Sequence, residues 1–145
     1  MEFLYRIFDS DRKNYHAWSY RIWFVERFQL WESELEFIEE MLGHDPTNNS
    51  VWSYRFFILN KAPLGLFKGS AAPGSFDFVR SEVQQVINNY LSQQDGLSNE
   101  SCWVYLRGML CNSDEEEIKS QSTPSKRVNI NKLRTFMLPF LESSV

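Results

Sequence analysis

Lys13, Tyr15 and His16 stand just ahead of Trp18 in the run Lys13-Asn14-Tyr15-His16-Ala17-Trp18, and their types suit one kind of chemistry. A tyrosine hydroxyl donates to a phosphate or carboxylate oxygen, and an ammonium or imidazolium group does the same. Packing alone does not demand three such groups before a tryptophan. Taken singly, Lys13 reads as a solvated side chain and His16 as a surface or packing residue, since no carboxylate partner adjoins it in sequence. No catalytic residue is assigned. A metal site is not suggested either: His16 and His44 are 28 residues apart, and neither lies near Cys102 or Cys111. The two cysteines lack CxxC spacing, so no disulfide framework is expected.

The elements that must position these groups are written as a repeat. Asn14, Asn48 and Asn99 each precede a tryptophan by four residues, opening Trp18-Ser19-Tyr20-Arg21, Trp52-Ser53-Tyr54-Arg55 and Trp103-Val104-Tyr105. The first two tryptophans are 34 residues apart and the third follows after 51, one period plus about seventeen inserted residues. Such a period marks stacked supersecondary units, none able to bury its apolar face alone. Trp18, Ile22, Val25 and Phe28 recur at helical spacing, as do Trp52, Phe56 and Leu59. Asn14 and Asn48 fall where an N-cap belongs, a contribution of about 1 kcal/mol. Between them Trp31, Leu35, Ile38 and Leu42, set among glutamates, predict an amphipathic partner helix closed by Gly43. The fold class is therefore all-α, a curved solenoid of helical hairpins. Trp18 and Trp52 are expected as core knobs at the hairpin junctions, and Asn99 and Trp103 as the matching structural core positions of the third repeat. Arg21 and Arg55, one turn on, are expected to pair with Asp11 and Asp45, contact with a partner chain being the alternative.

With 145 residues, 43% hydrophobic and 16% aromatic, the chain can form one domain with a core. Five Trp and twelve Phe exceed what that core needs, so some aromatic side chains should face a ligand or partner. A net charge of −4 without a Lys/Arg stripe argues against a nucleic-acid surface. Neither a signal peptide nor an apolar run of about 18 residues occurs, so no membrane span is expected and the cytoplasm is the plain localisation. Residues 1–145 are read as a single helical-repeat domain cut from a longer solenoid. Helices expected near 2–8 and 130–141 would lack neighbours, which favours self-association. Two segments interrupt the repeat. A Gly/Pro/Ala-rich loop at 62–75 carries the inserted residues, and a helix resumes over 77–91. At 112–127, Asp114-Glu115-Glu116-Glu117 followed by Ser, Thr, Pro, Lys and Arg reads as a mobile linker.

A 34-residue period raises tetratricopeptide repeats first, but those want Gly and Ala at close-packing positions and Pro at the hairpin end, where this chain has Arg, Phe and Glu. A repeat adaptor of that general kind stands as the alternative function. Lys13-Asn14-Tyr15-His16-Ala17-Trp18, then Arg21, Trp23, Leu30-Trp31, Glu34-Leu35, and Asn48-Asn49-Ser50-Val51-Trp52 with Arg55, resemble the alpha subunit shared by protein farnesyltransferase and type I geranylgeranyltransferase. The resemblance runs from about residue 3 to 110 across three consecutive repeats, with Asn-x-x-x-Trp-x-x-Arg intact in the first two and Leu106 in place of arginine in the third.

This resemblance implies a crescent of antiparallel hairpins wrapping a beta subunit, with isoprenyl diphosphate and a CaaX-protein substrate at the subunit interface. It implies no cofactor in this chain; zinc, with magnesium as a second candidate ion, is expected with the beta subunit. Tyr15 and His16 match positions lining the active-site rim. The family lysine that reaches the diphosphate belongs to the preceding repeat, so Lys13 does not inherit that role. Farnesyl and geranylgeranyl transfer share this subunit and are not distinguished.

Overall fold

Asparagine marks where each tryptophan helix begins. The computed structural model describes residues 2–63, 66, 76–93 and 95–119, with side chains as far as 111. Its helices are α1 (Glu2–Ser10), α2 (Tyr15–Phe28), α3 (Glu34–His44), α4 (Asn49–Lys61), α5 (Phe76–Val86) and α6 (Glu100–Lys119), with no strand among the described residues. The side-chain oxygen of Asn14 accepts from the Ala17 amide at 3.0 Å, that of Asn48 from Ser50 at 3.0 Å and that of Asn99 from Cys102 at 3.2 Å. Each cap satisfies an amide that the first helical turn would otherwise leave without a partner. Consecutive helices pair as α1–α2, α3–α4 and α5–α6, and the hairpins stack through α2 on α4 and α4 on α6. The all-α hairpin stack expected from the repeat is the fold observed.

The spacing of asparagine and tryptophan has a stacking function beyond capping. Each indole donates to the carbonyl six residues earlier: Trp18 to Arg12 at 2.8 Å, Trp52 to Pro46 at 2.7 Å and Trp103 to Leu97 at 2.9 Å. The amide nitrogen of Asn48 then donates to the Arg12 carbonyl at 3.3 Å, and that of Asn99 to the Pro46 carbonyl at 2.8 Å. A carbonyl has two lone pairs, so one loop carbonyl takes its own repeat's tryptophan and the next repeat's asparagine. The asparagine oxygen starts its own helix while its NH2 group ties that helix to the hairpin before it. Around this ladder Val25, Ile38, Leu42, Val51, Ile58 and Val83 are fully buried. Phe8 meets Trp18 with ring centroids 4.4 Å apart, and Trp52 lies 5.0 Å from both Tyr90 and Tyr105.

Some boundaries differ from the sequence expectation. Gly43 lies inside α3, which continues to His44 and ends at Asp45, whose amide bonds the Met41 carbonyl. The predicted helix over 77–91 begins at Phe76 and finishes as a π turn, Ile87–Leu91. Gly96 then sits so close to the Tyr90 and Leu91 carbonyls that a Cβ would collide with them. Residues 112–119, read as the first part of a linker, are helical and belong to α6. A run of glutamates does not by itself end a helix, and neither Gly nor Pro occurs from 109 to 123. Residues 120–127, the expected helix at 130–141 and most of the loop at 62–75 lie outside the described residues.

Candidate functional site

The first turn of α2 carries the exposed donors. Asn14 is the cap, so Tyr15 and His16 occupy the first two helical positions, and their rings meet edge to face at 5.7 Å. Tyr15 is 76% exposed, and Lys13 and His16 are exposed beside it. The Lys13 amide donates to the Asp11 carboxylate at 3.1 Å, which holds the loop turned into the helix. Asn14 already takes the Ala17 and Trp18 amides, so what the helix end adds beside the phenol and the imidazole is the positive end of the α2 dipole. That combination suits an anionic oxygen ligand. In α4 the same two positions are Asn49 and Ser50, and in α6 they are Glu100 and Ser101. Ser101 is committed to stacking, its hydroxyl donating to the Thr47 carbonyl at 2.8 Å.

The arginines are placed elsewhere and paired otherwise than expected. Arg21 is buried, donating through Nε to Glu34 Oε2 at 2.9 Å and through Nη2 to Glu34 Oε1 at 3.0 Å. Tyr54 donates to the same Oε2 at 2.6 Å, and the guanidinium lies over the Phe37 ring at 3.4 Å. Arg55 repeats the arrangement with Glu82, at 2.6 and 3.2 Å, and adds Glu39 at 2.5 Å. Tyr105 donates to Glu82 and Tyr90 to Glu39, both at 2.6 Å. Asp11 and Asp45 pair with neither arginine. They sit in the loops ahead of the caps, where Asp45 accepts from the Thr47 amide at 3.0 Å, whereas both arginines point from their helices into the core. Their burial also removes them from any partner surface.

Electrostatics mark these networks as structural. Burial works against the charge on Arg21 and Arg55, yet the glutamates outweigh it and hold both guanidiniums above their ordinary range. Burial, followed by the adjoining glutamate, pushes the hydroxyls of Tyr54, Tyr90 and Tyr105 well above the usual phenol range. The Cys102 thiol is pushed up to about 12 by burial, which makes it inert at neutral pH. Sequence reading missed Glu34, Glu39 and Glu82 as partners of the arginines, and the available signal was the tyrosine recurring two residues after the tryptophan of each repeat motif.

A shallow apolar groove of about 250 Å³ lies between α4 and α6, floored by Trp52 and Tyr105 and walled by Phe56 and Val104. Among the described residues no charged side chain lines it. Among the described residues no three His, Cys, Asp or Glu side chains gather where they could hold a metal ion. None of the described helices is long and apolar enough to cross a membrane.

No curated protein matches the chain. A family model, the protein prenyltransferase alpha subunit repeat, matches residues 1–28 and 31–62. Those spans hold the α1–α2 and α3–α4 hairpins, each containing one Asn-x-x-x-Trp-x-x-Arg motif. The α5–α6 hairpin lies beyond the match but keeps the asparagine cap and the indole-to-carbonyl bond. The likeness to protein prenyltransferase alpha subunit repeats therefore rests on the first two hairpins.

Proposed function

We propose that this chain belongs to the alpha subunit of a cytoplasmic, heterodimeric protein prenyltransferase, which attaches a farnesyl or geranylgeranyl group to a C-terminal CaaX cysteine. The observation that carries this reading is the exposed pair Tyr15 and His16 at the N-terminus of a family-matched helix whose other motif residues are spent on packing. In prenyl transfer the C1 carbon leaves a diphosphate for a thiolate, and negative charge grows on the departing diphosphate oxygens. Donors fixed near those oxygens lower the barrier, about 2.7 to 4 kcal/mol for each well-placed one in a dry site. The Tyr15 hydroxyl donates while remaining neutral, His16 donates through a ring nitrogen, and the helix end adds its dipole. Zinc, with magnesium as a second candidate, would come with the beta subunit and activate the acceptor thiol. Among the described residues no cluster fits a metal, and none of the steps assigned to Tyr15 and His16 passes through one.

The test is co-expression of a full alpha subunit containing this chain with its beta subunit, followed by transfer of a labelled isoprenoid to a CaaX peptide. Tyr15→Phe and His16→Ala are expected to lower kcat/KM about 10- to 100-fold while the heterodimer still forms. Unchanged kinetics in both variants would remove the rim assignment. Failure to bind any beta subunit would favour the helical-repeat adaptor instead.

A further inference from the structure

Arg21 keeps one guanidinium nitrogen that nothing takes, and the repeat shows what belongs there. The 34-residue step that carries Arg21 onto Arg55 carries Tyr5 onto Glu39. Around Arg55, Nη1 donates to the Glu39 carboxylate at 2.5 Å, beside the Glu82 pair. Arg21 is 1% exposed and paired with Glu34, yet its Nη1 has no hydrogen-bond partner among the described residues. A buried guanidinium nitrogen without an acceptor forfeits a charge-assisted bond, so the place calls for an anionic oxygen. Tyr5 borders that place. Its ring centre lies 5.5 Å from Arg21 Cζ and meets the Phe37 ring edge to face at 5.4 Å, and its hydroxyl adds a little to what holds the guanidinium charged. A neutral phenol does not replace a carboxylate. Tyr5 is also 41% exposed, which leaves it open to a modifying enzyme.

We propose that Tyr5 is a phosphorylation site whose phosphate takes the unpartnered Arg21 Nη1 and closes the first hairpin junction as Glu39 closes the second. The Tyr5 hydroxyl oxygen attacks the γ-phosphorus of a nucleoside triphosphate held by a tyrosine kinase. One P–O bond forms at Tyr5 Oη as the bond to the departing nucleoside diphosphate breaks, and the phenolic proton passes to the kinase's base. The added group carries close to two negative charges and three acceptor oxygens. Arg21 then faces a carboxylate and a phosphate, much as Arg55 already faces two carboxylates. Glu34 is the anion that opposes the phosphate, and the Tyr54 hydroxyl donating to Glu34 Oε2 weakens that opposition. On the same helix Glu2, Arg6 and Asp9 are exposed, with Arg6 held by Glu2. Tyr15 and Tyr20 are more exposed than Tyr5, but the Arg21 guanidinium lies over the rings of Tyr5, Phe37 and Tyr54 and over neither of theirs.

The test uses the whole chain with phosphotyrosine incorporated at Tyr5 or, in separate control chains, at Tyr15 or Tyr20. By phosphorus NMR the second ionisation of the phosphate, ordinarily near pH 6, is expected to fall by about one unit or more at Tyr5, because Arg21 favours the dianion, and to stay near 6 in the controls. A tyrosine phosphatase should release the Tyr5 phosphate about tenfold more slowly than the other two in the folded chain, and at the same rate in urea. Tyr5→Glu, which restores the carboxylate of the Glu39 position, should unfold at higher urea than Tyr5→Gln. Unmodified chain given labelled ATP and a tyrosine kinase of broad specificity should take up phosphate at Tyr5 while folded. An unshifted ionisation at Tyr5, equal release rates, or a Tyr5→Gln chain as stable as Tyr5→Glu overturns the proposal. A chain that the phosphate unfolds, or a kinase reaction that leaves Tyr5 bare, overturns it as well.

Discussion

Two junctions in this molecule solve the same problem with different numbers of carboxylates. Between the first and second hairpins, Arg21 has Glu34 alone, and its Nη1 has no hydrogen-bond partner among the described residues. The Phe37 face takes up what the missing acceptor would have covered, a cation–π contact strengthened by desolvation. Between the second and third hairpins, Arg55 reaches both Glu82 and Glu39, and every nitrogen is used. Glu34 follows Arg21 by 13 residues, while Glu82 follows Arg55 by 27. The inserted residues therefore lengthen the chain without moving the glutamate in space. What repeats is a constellation of arginine, glutamate and the next hairpin's tyrosine, not a linear motif.

The largest expected effect separates the junctions directly. Glu34→Ala leaves a buried guanidinium with no carboxylate and a buried Tyr54 hydroxyl with no acceptor, a loss of about 3 to 5 kcal/mol in urea unfolding. Glu82→Ala should cost less, because Arg55 keeps Glu39. Equal losses would mean that the second carboxylate carries none of the charge balance.

Alkaline titration should act next, and on both junctions together. Tyr54, Tyr90, Tyr105 and Cys102 all have folded pKa values raised by burial, against ordinary values of 10.0 for tyrosine and 9.0 for cysteine. Between the unfolded and folded values the native state binds more protons, so stability falls as pH rises. Their contribution is fully present below about pH 9. Above the unfolded value each group removes about 1.4 kcal/mol per pH unit until its folded value is reached. Cys102→Ala should delay the onset, and Tyr54→Phe and Tyr105→Phe should flatten the slope beyond pH 10.0. A stability curve level from pH 8 to 11 would contradict the burial of these hydroxyls.

A smaller effect tests the shared carbonyls. Trp52→Phe keeps a ring but removes the indole donor to Pro46, and Asn48→Ala removes both a cap and the bond to Arg12. Each should cost about 1 to 2 kcal/mol. Because Asn99 still donates to Pro46 in Trp52→Phe, the double variant Trp52→Phe/Asn99→Ala should lose more than the two singles combined. Strict additivity would show that the carbonyl is not a shared acceptor.

The hairpins, the caps and the burial of Trp18 and Trp52 were legible because each is a local pattern: apolar residues at helical spacing, and asparagine four residues ahead of tryptophan; Trp103, expected in the core with them, is only half-buried. Glu34 and Glu82 were not, since their arginines lie on other helices and the distance along the chain differs between junctions. Proximity in sequence favoured Asp11 and Asp45, which the loops consume in turns. Tyr20 and Tyr54 share one motif position yet differ in burial, because burial there depends on the hairpin before and not on the motif. At 112–119 charge suggested a linker where the absence of Gly and Pro decided for helix. At the candidate site, the resemblance rather than residue type singled out Tyr15 and His16; the edge-to-face contact of their rings and their exposure at a helix end came from the fold.

The smallest expected change in stability distinguishes the packing motif from the proposed rim beside it. Tyr15 and His16 touch mainly each other and solvent, so Tyr15→Phe and His16→Ala should move unfolding by no more than about 0.5 kcal/mol. Trp18, three residues beyond Tyr15, fills the space between Phe8, Phe37 and Tyr54, and Trp18→Ala should cost about 3 to 5 kcal/mol. In the proposed heterodimer the order should invert for chemistry. The two rim variants should slow transfer at full stability, because a donor absent from the transition state lowers kcat/KM without unfolding the helix that held it. Chemical denaturation and steady-state kinetics on the same three proteins decide the matter. If Tyr15→Phe and His16→Ala destabilise as Trp18→Ala does while kinetics of the folded fraction stay unchanged, the first turn of α2 is packing and the site lies elsewhere.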